Sequence, residues 1–316
     1  MATEIIIMII ALAVLGVAAH FMVNAAIHIA KFFKMPEILI GLTIVSIGTS
    51  APEIAVSVIA ALEGNGSLSV GNVIGSNIFN LGFILGLIAV ISPQKIHKKM
   101  VYRDGIVLLA STLIILAFVA NQYVSFLEGV TLLLLLVAYN VFLFIKKDAP
   151  ELDEEEVKKA KWYNFLIFAV SLVILIIASE YVVESAVSIA QTFGMSEWAI
   201  GVTIVAAGTS LPEIATSVAA TFKRKFDLAV GNVVGSDIFN ALGIIGVSAF
   251  VSPLSLNSKT DILGFPDNVF SLILLSLTIV MLLIFMRTGW KLSRREGIIL
   301  LVISVIRMGF EGYIGS

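Results

Sequence analysis

Long apolar runs separated by short polar breaks dominate the chain. The runs lack the alternation that a membrane β-barrel requires, and their lengths are close to the roughly 20 residues that a spanning helix needs. They predict ten transmembrane helices, at residues 4–30, 37–62, 69–91, 103–121, 125–145, 162–190, 197–221, 228–250, 267–286 and 296–313. The fourth, fifth and ninth are plain lipid-facing segments. The second, third, seventh and eighth are rich in Gly, Ser, Thr, Asn, Pro and Glu, which predicts that these four carry the function.

Composition agrees with an all-α polytopic membrane protein and excludes other classes. Of the 316 residues, 59% are hydrophobic and 13% are charged, whereas about a quarter are charged in an average soluble domain. The 20 basic and 22 acidic residues leave no basic excess for binding nucleic acid. With no cysteine and three histidines, the chain cannot form disulfides or thiolate metal sites and has little to offer zinc.

The basic residues predict the orientation in the membrane. The first apolar run has no basic segment before it and no cleavage-like boundary, so we expect a retained helix rather than a signal peptide. If the N-terminus lies outside, 18 of the 20 basic residues fall in cytoplasmic loops, and only Lys259 and Arg307 do not. The positive-inside rule therefore predicts external termini in the cell membrane.

With this orientation, the charged stretch at 146–161 is predicted to be a solvated cytoplasmic linker. The alternative is a regulatory Ca²⁺ site at 153–156, but these residues lack the spacing of a Ca²⁺ loop.

Two long stretches of the chain are copies of each other. Residues 41–93 and 201–253 align without a gap at an offset of 160, and 29 of the 53 positions are identical. The chain then divides into 1–145, the linker, and 162–316, with five predicted helices in each half. Because five is odd, the second copy enters the membrane from the opposite side. Inverted repeats of this kind recur in secondary transporters, with the substrate site near the midplane; duplication of a purely structural module is the alternative.

The most similar parts of the repeat are polar. GTSAPE at 48–53 recurs as GTSLPE at 208–213. Each copy ends in a glutamate deep inside an apolar span, where a carboxylate needs a partner or a wet cavity. The proline before it cannot donate the N–H that a continuous helix requires. We therefore expect both helices to open beside GTS, with freed carbonyls and hydroxyls facing the same space.

A second motif adds amide and hydroxyl groups. GNVIGSNIFN at 71–80 recurs as GNVVGSDIFN at 231–240, and its Asn, Ser and Asn at spacing i, i+4, i+8 share one helix face. All of these ligands are oxygen atoms, which suit hard cations and Ca²⁺ in particular. Two carboxylates balance one Ca²⁺ or two Na⁺. The alternative is that the polar groups only bond neighbouring helices and the small residues only allow close packing.

The doubled pattern GTSxPE and GNxxGSxxxN resembles the two alpha repeats of the cation/calcium exchanger superfamily, and within it the prokaryotic sodium/calcium exchangers. The resemblance covers the whole chain. It implies two inverted five-helix repeats, four central cation sites, and exchange of Na⁺ for Ca²⁺ by alternating access. It implies no enzymatic activity, no cofactor, and no partners beyond the two transported ions and membrane lipid. The implied ligands are the side chains of Glu53, Glu213, Thr49, Thr209, Ser50, Ser210, Ser76, Ser236, Asn80 and Asn240, and the backbone carbonyls of Ser46 and Ala206.

Two positions depart from the pattern of several relatives. Asn240 stands where some, including the potassium-dependent exchangers, have Asp. Asp237 is an additional acid whose counterpart is Asn77, and we expect it to bond a neighbouring helix rather than a cation. The stripe of His20, Asn24 and His28 is interpreted as a polar face against the bundle or a water path.

Other functions remain open at this point. The GNxxE signature of the proton-coupled branch is absent, which favours Na⁺/Ca²⁺ exchange over the alternative, exchange of Ca²⁺ for H⁺ or another cation. A channel would not explain the inverted repeat and the two broken helices. An intramembrane enzyme has no support from an HExxH motif, a serine–histidine pair or a cofactor loop.

Overall fold

The computed structural model of the protein describes residues 2–146, 161–193, 206–256, 261–262 and 265–314. The described chain is helical almost throughout, as predicted. Its helices are α1 (Ala2–Phe32), α2 (Glu37–Thr49), α3 (Ala51–Leu62), α4 (Gly66–Ile91), α5 (Met100–Val119), α6 (Phe126–Ile145), α7 (Tyr163–Thr192), α8 (Ala206–Gly208), α9 (Leu211–Phe222), α10 (Phe226–Val251), α11 (Asp267–Arg287) and α12 (Arg294–Ile314). A single 3₁₀ turn, Thr288–Trp290, follows α11.

Among the described residues, seven helices are long and apolar enough to cross a membrane, and α2 with α3 makes an eighth if the bent pair counts as one span. The predicted seventh helix begins outside the described residues and ends in α8 and α9. The predicted tenth corresponds to α12. The all-helical membrane fold is thus confirmed, whereas the count of ten is not.

The helix opening predicted at GTSAPE is present. A bend of 51° separates α2 from α3, and Ser50 between them has φ −79° and ψ 12°. Pro52 falls in the first turn of α3, where a missing N–H costs nothing because that group has no partner within the helix. The second copy repeats the arrangement, since α9 begins after Ser210 and has Pro212 in its first turn. Both motif glutamates therefore lie at helix N-termini, where the helix dipole favours negative charge.

Helices α4 and α10 form the centre of the molecule. They are the most buried of the candidate spans. Glycines allow α2 and α10 to cross in backbone contact: a Cβ atom on Gly41 would lie 2.8 Å from the carbonyl oxygen of Leu228, and one on Gly235 would lie 2.5 Å from Cα of Leu42. This close crossing brings the polar residues of α2 against those of α10.

The outer helices present apolar side chains to their surroundings. Leu127 and Leu134 of α6, Leu113 of α5 and Leu277 of α11 are all exposed. These are the three helices predicted to face lipid. Helices α1 and α7, the first of each predicted half, pack along each other.

Short strands that were not predicted from the sequence join the loops. They form three antiparallel pairs: β1 (Gln94–Lys95) with β6 (Lys291–Leu292), β2 (Tyr123–Val124) with β3 (Leu254–Ser255), and β4 (Asp261–Ile262) with β5 (Phe265–Pro266). The first pair joins two loops that the charge pattern assigns to one side of the membrane, and the second joins two assigned to the other. The pairing is therefore consistent with the predicted alternation of the loops.

Candidate cation-binding site

The two motif glutamates meet in the interior, and each is bonded by the opposite repeat. Glu53 at the start of α3 and Glu213 at the start of α9 are both buried. The hydroxyl of Ser50 donates to Oε1 of Glu213 at 3.2 Å. The hydroxyl of Ser210 donates to Oε1 of Glu53 at 3.3 Å. The two helix openings therefore form one site rather than two.

Further hydroxyls surround the carboxylates. Thr209 lies beside the side chain of Glu53, and Thr49 and Ser236 lie beside that of Glu213. Thr49 also donates to Oδ1 of Asn232 at 3.3 Å, which links α2 to α10. The predicted ligands from both repeats thus converge on the same carboxylate pair.

Three of the predicted ligands have less evident roles. The carbonyl oxygen of Ser46 accepts the N–H of Ser50 at 3.0 Å and the hydroxyl of Thr49 at 3.3 Å. Ala206 is the first residue of α8. Ser76 is buried in α4, one helical turn before Asn80. The structure places Ser46 and Ser76 in the buried interior, but it does not by itself make any of these three a ligand.

The two asparagines of the second motif occupy equivalent and unusual backbone positions. Asn80 begins a π-helical turn, Asn80–Ile84, and Asn240 begins another, Asn240–Ile244. Single π turns within α-helices are frequently found at functional sites. These π turns were not predictable from the sequence, because a π turn has no periodicity signal over five residues.

Several buried oxygen atoms in the site have no hydrogen-bond partner within the described part of the chain, Oγ of Ser236 and Oδ2 of Asp237 among them. Four others are Oε2 of Glu53, Oε2 of Glu213, Oδ1 of Asn80 and Oδ1 of Asn240. They form two pairs related by the repeat. Buried acceptors without a partner are rare because their lost hydration is not replaced. A cation would supply what these oxygens lack, and oxygen atoms of carboxylates and amides are the ligands that hard cations prefer.

Asn72 and Asn232, at the start of the polar stripe, have structural partners. The amide nitrogen of Asn72 donates to Oγ of Ser57 at 2.9 Å, and that of Asn232 donates to Oγ of Ser217 at 3.0 Å. These matching bonds join α3 to α4 and α9 to α10. The two asparagines therefore hold the helices that carry the glutamates.

Asp237 bonds a neighbouring helix, as expected from the sequence. Its Oδ1 accepts from the amide nitrogen of Asn80 in α4 at 2.9 Å. At the edge of the bundle, Lys223 donates to Oδ1 of Asn24 at 2.7 Å and lies 3.2 Å from Nε2 of His20. Two members of the polar stripe on α1 thus contact Lys223, just after α9.

A helical membrane protein with two buried carboxylates among hydroxyl and amide oxygens belongs to the class of membrane cation transporters. Comparison with known proteins identifies a family within this class. A family model described as "Sodium/calcium exchanger protein" matches residues 3–145 and 163–310. The chain therefore belongs to the sodium/calcium exchanger family, a family of transporters, as the motifs indicated.

Individual relatives cover almost the whole chain. "Sodium/calcium exchanger MaX1" of Methanosarcina acetivorans is 31% identical over 95% of this chain and 96% of its own length. "Putative antiporter CaxA" of Alkalimonas amylolytica is 35% identical over 94% of this chain and 92% of its own. Among solved structures, the sodium–calcium exchanger NCX_Mj soaked with 10 mM Na⁺ and zero Ca²⁺ matches with a TM-score of 0.83 and 27% identity, covering 97% of this chain and 98% of that one.

Proposed function

We propose that this protein is a secondary active antiporter that exchanges Na⁺ for Ca²⁺ across the cell membrane by alternating access. The observation that carries the proposal is the set of four buried acceptor oxygens on Glu53, Glu213, Asn80 and Asn240 that have no donor among the described residues. Their arrangement in repeat-related pairs suits one central group of cations. The relatives named as sodium/calcium exchangers support the same conclusion.

The proposed ligands are those implied by the motifs. The carboxylates of Glu53 and Glu213 bind Ca²⁺, and the hydroxyls and amide oxygens complete its coordination and that of Na⁺. The full set is Glu53, Glu213, Thr49, Thr209, Ser50, Ser210, Ser76, Ser236, Asn80 and Asn240, with the carbonyls of Ser46 and Ala206. The crossed bonds between Ser50 and Glu213 and between Ser210 and Glu53 support a shared site. Since Ca²⁺ and Na⁺ are the transported substrates, no cofactor is required.

Competition for the same negative charges explains how the two cations are coupled. Two carboxylates balance either one Ca²⁺ or two Na⁺, so occupancy by one species disfavours the other. The two repeats, each with one bent helix and one central helix, supply a site that could be opened to either side in turn. The site lies near the midplane in this proposal and is formed by the second, third, seventh and eighth predicted helices.

The proposed orientation places both termini outside and the 146–161 linker in the cytoplasm. It is supported by the distribution of Lys and Arg. Contacts between loops assigned to the same side support the grouping of those loops. Lys225 pairs with Glu37 at 2.7 Å, and His97 lies 3.1 Å from Asp227. All four residues fall in or beside loops that the charge pattern assigns to the cytoplasm.

The decisive experiment is uptake of radiolabelled Ca²⁺ into proteoliposomes loaded with Na⁺ and diluted into Na⁺-free medium. We expect uptake that requires the outward Na⁺ gradient and is unchanged by K⁺. The second candidate function is exchange of Ca²⁺ for H⁺, because two buried carboxylates could also carry protons. Uptake driven by a pH gradient, without Na⁺, would favour that alternative. Ca²⁺ entry that needs neither gradient would indicate a channel.

A further inference from the structure

Two side chains between α4 and α10 hold the asparagines of the site. Asn77 and Asp237 occupy equivalent positions of the repeat, three residues before Asn80 and Asn240. Each accepts a hydrogen bond from the asparagine of the other half: the amide nitrogen of Asn80 donates to Oδ1 of Asp237 at 2.9 Å, and that of Asn240 donates to Oδ1 of Asn77 at 3.0 Å. All four side chains are buried. The two bonds are reciprocal and link α4 of one repeat to α10 of the other.

The hydrogen-bond partners determine whether the oxygen or the nitrogen atom of each side-chain amide is left without a partner. The main-chain carbonyl of Asp237 can only accept, and Nδ2 of Asn77 donates to it at 3.1 Å. The oxygen of Asn77 is therefore the atom that faces Asn240, which must present its N–H group. Oδ1 of Asp237 accepts from the amide nitrogen of Asn80 and gives Asn80 the same orientation. The oxygen atoms of Asn80 and Asn240 are consequently left without a hydrogen-bond donor among the described residues.

We propose that Asn77 and Asp237 are positioning residues, which hold the amides of Asn80 and Asn240 with their oxygens toward the transported cation. The proposal rests on the proposed function. An amide rotated by half a turn would present its N–H hydrogens, which repel a cation. Partners that orient metal ligands typically contribute about 10–100-fold in metal affinity. Because both bonds cross between the repeats, correct ligand geometry also requires α4 and α10 to keep their relative register.

Substitutions at position 237 separate the acceptor oxygen from the rest of the carboxyl group. Asp237→Asn replaces the carboxyl group with an amide but retains an acceptor oxygen, as its counterpart Asn77 does, so we expect KM for Ca²⁺ to stay within about threefold of wild type. Asp237→Leu removes the acceptor, and we expect KM to rise by about tenfold or more while Vmax changes less. Asn140→Leu is the matched control, because the Asn140 amide donates to Leu136 of its own helix at 2.9 Å.

A double-mutant cycle tests whether Asp237 acts through Asn80. Asn80→Ala removes the amide that Asp237 holds, so adding Asp237→Leu to that variant should raise KM no further. If Asp237→Leu does not yield a monodisperse protein, the cycle of Asn77→Leu with Asn240→Ala is evaluated in the same way. An unchanged KM in Asp237→Leu, or equal loss in Asp237→Asn and Asp237→Leu, would overturn the positioning role. So would a full additional effect of Asp237→Leu in the Asn80→Ala background.

A binding measurement keeps this test separate from that of the proposed function. The full-length protein in detergent is titrated with Ca²⁺, and the concentration giving half of the maximal rise in Tm reports affinity whichever ion drives transport. If the wild-type protein shows no Na⁺-driven uptake of Ca²⁺, the proposed Na⁺/Ca²⁺ exchange would be overturned. A shift of the half-maximal concentration in Asp237→Leu, but not in Asp237→Asn or Asn140→Leu, would still support the positioning role.

Discussion

The hydroxyl of Ser50 donates to Oε1 of Glu213 at 3.2 Å, although Glu53 of its own motif is only three residues away. The reciprocal bond from Ser210 to Glu53 has nearly the same length, 3.3 Å. Each carboxylate is therefore oriented by the repeat that does not contain it. A movement of one repeat relative to the other would therefore change both halves of the site at once.

Loss of either carboxylate should abolish transport. We expect Glu53→Gln and Glu213→Gln each to reduce Na⁺-driven Ca²⁺ uptake to the level of empty liposomes, because one remaining charge cannot balance Ca²⁺ in a buried cavity. The amide can still accept from the serine of the other repeat, so the protein should remain folded. Uptake into proteoliposomes and size-exclusion chromatography measure the two properties.

A matched substitution elsewhere serves as the control for the glutamates. Glu128 accepts from Ser125 at the N-terminus of α6, outside the site, and Glu128→Gln should transport normally. Near-normal uptake by either Glu53→Gln or Glu213→Gln would remove that residue from the proposed site.

Mild acid should inhibit transport competitively. Protons and Ca²⁺ bind the same carboxylates of Glu53 and Glu213, so lowering the pH should raise KM for Ca²⁺ and leave Vmax nearly constant. The initial rate of uptake is measured over a range of Ca²⁺ concentrations at several pH values. Inhibition that saturating Ca²⁺ does not relieve would contradict competition at the site.

Much of the fold follows from local sequence signals. The apolar runs predict the helices, and Pro52 after GTS predicts the opening between α2 and α3, because a missing N–H disturbs the helix wherever the rest of the fold lies. The strand pair Gln94–Lys95 with Lys291–Leu292 was not predicted. Its two partners are about two hundred residues apart, and two-residue strands have no periodicity of their own.

The site was predictable as a set of residues but not as a network of bonds. Conserved spacing within the repeat indicated Glu53 and Asn80 as candidate ligands because buried polar groups in apolar helices need partners. Which group bonds which depends on how the two repeats pack, and no pattern within one helix contains that information. The amide of Asn77 illustrates this: its partners are the carbonyl of Asp237 and the amide of Asn240, both in the other half.

The close crossing of α2 and α10 should not tolerate a methyl group on Gly235. A Cβ atom there would lie 2.5 Å from Cα of Leu42, and because that neighbour is backbone, the helices must move apart. We expect Gly235→Ala to destabilise the protein by about 1–3 kcal/mol, seen as a lower Tm in detergent. Gly16→Ala is the control, since no described atom lies within 4 Å of its added Cβ; it should leave Tm unchanged or slightly raised. Equal Tm values for the two variants would contradict the close crossing.

Cysteine labelling should reveal the orientation. The chain has no native cysteine, so a single introduced thiol can be labelled in intact cells with a membrane-impermeant maleimide. Ala120 follows α5 and Lys95 lies in β1, and both are exposed. We expect Ala120→Cys to be labelled in intact cells and Lys95→Cys only after permeabilisation. The opposite result would place the termini in the cytoplasm.

Asn240 should make transport independent of K⁺. An asparagine supplies an oxygen without charge, so the proposed ligands provide two carboxylates for one Ca²⁺ or two Na⁺. A third Na⁺ would depend on hydroxyls, carbonyls and the amide oxygens of Asn80 and Asn240. Three positive charges would then move against two, and uptake should respond to membrane potential. An absolute requirement for K⁺ in the wild type would contradict this role for Asn240, and insensitivity to voltage would indicate two Na⁺ per Ca²⁺.

The variant Asn240→Asp tests whether a carboxyl group at this position makes transport dependent on K⁺. Asn77 presents its oxygen to position 240 at 3.0 Å, so a carboxyl group there preserves that hydrogen bond only when it is protonated. A protonated carboxyl adds no charge to the two that Glu53 and Glu213 already supply. We therefore expect Asn240→Asp to retain K⁺-independent Na⁺/Ca²⁺ exchange near neutral pH, measured as Ca²⁺ uptake with and without K⁺. Uptake by Asn240→Asp that becomes dependent on K⁺ would show that the new carboxyl is ionised and recruits a further cation.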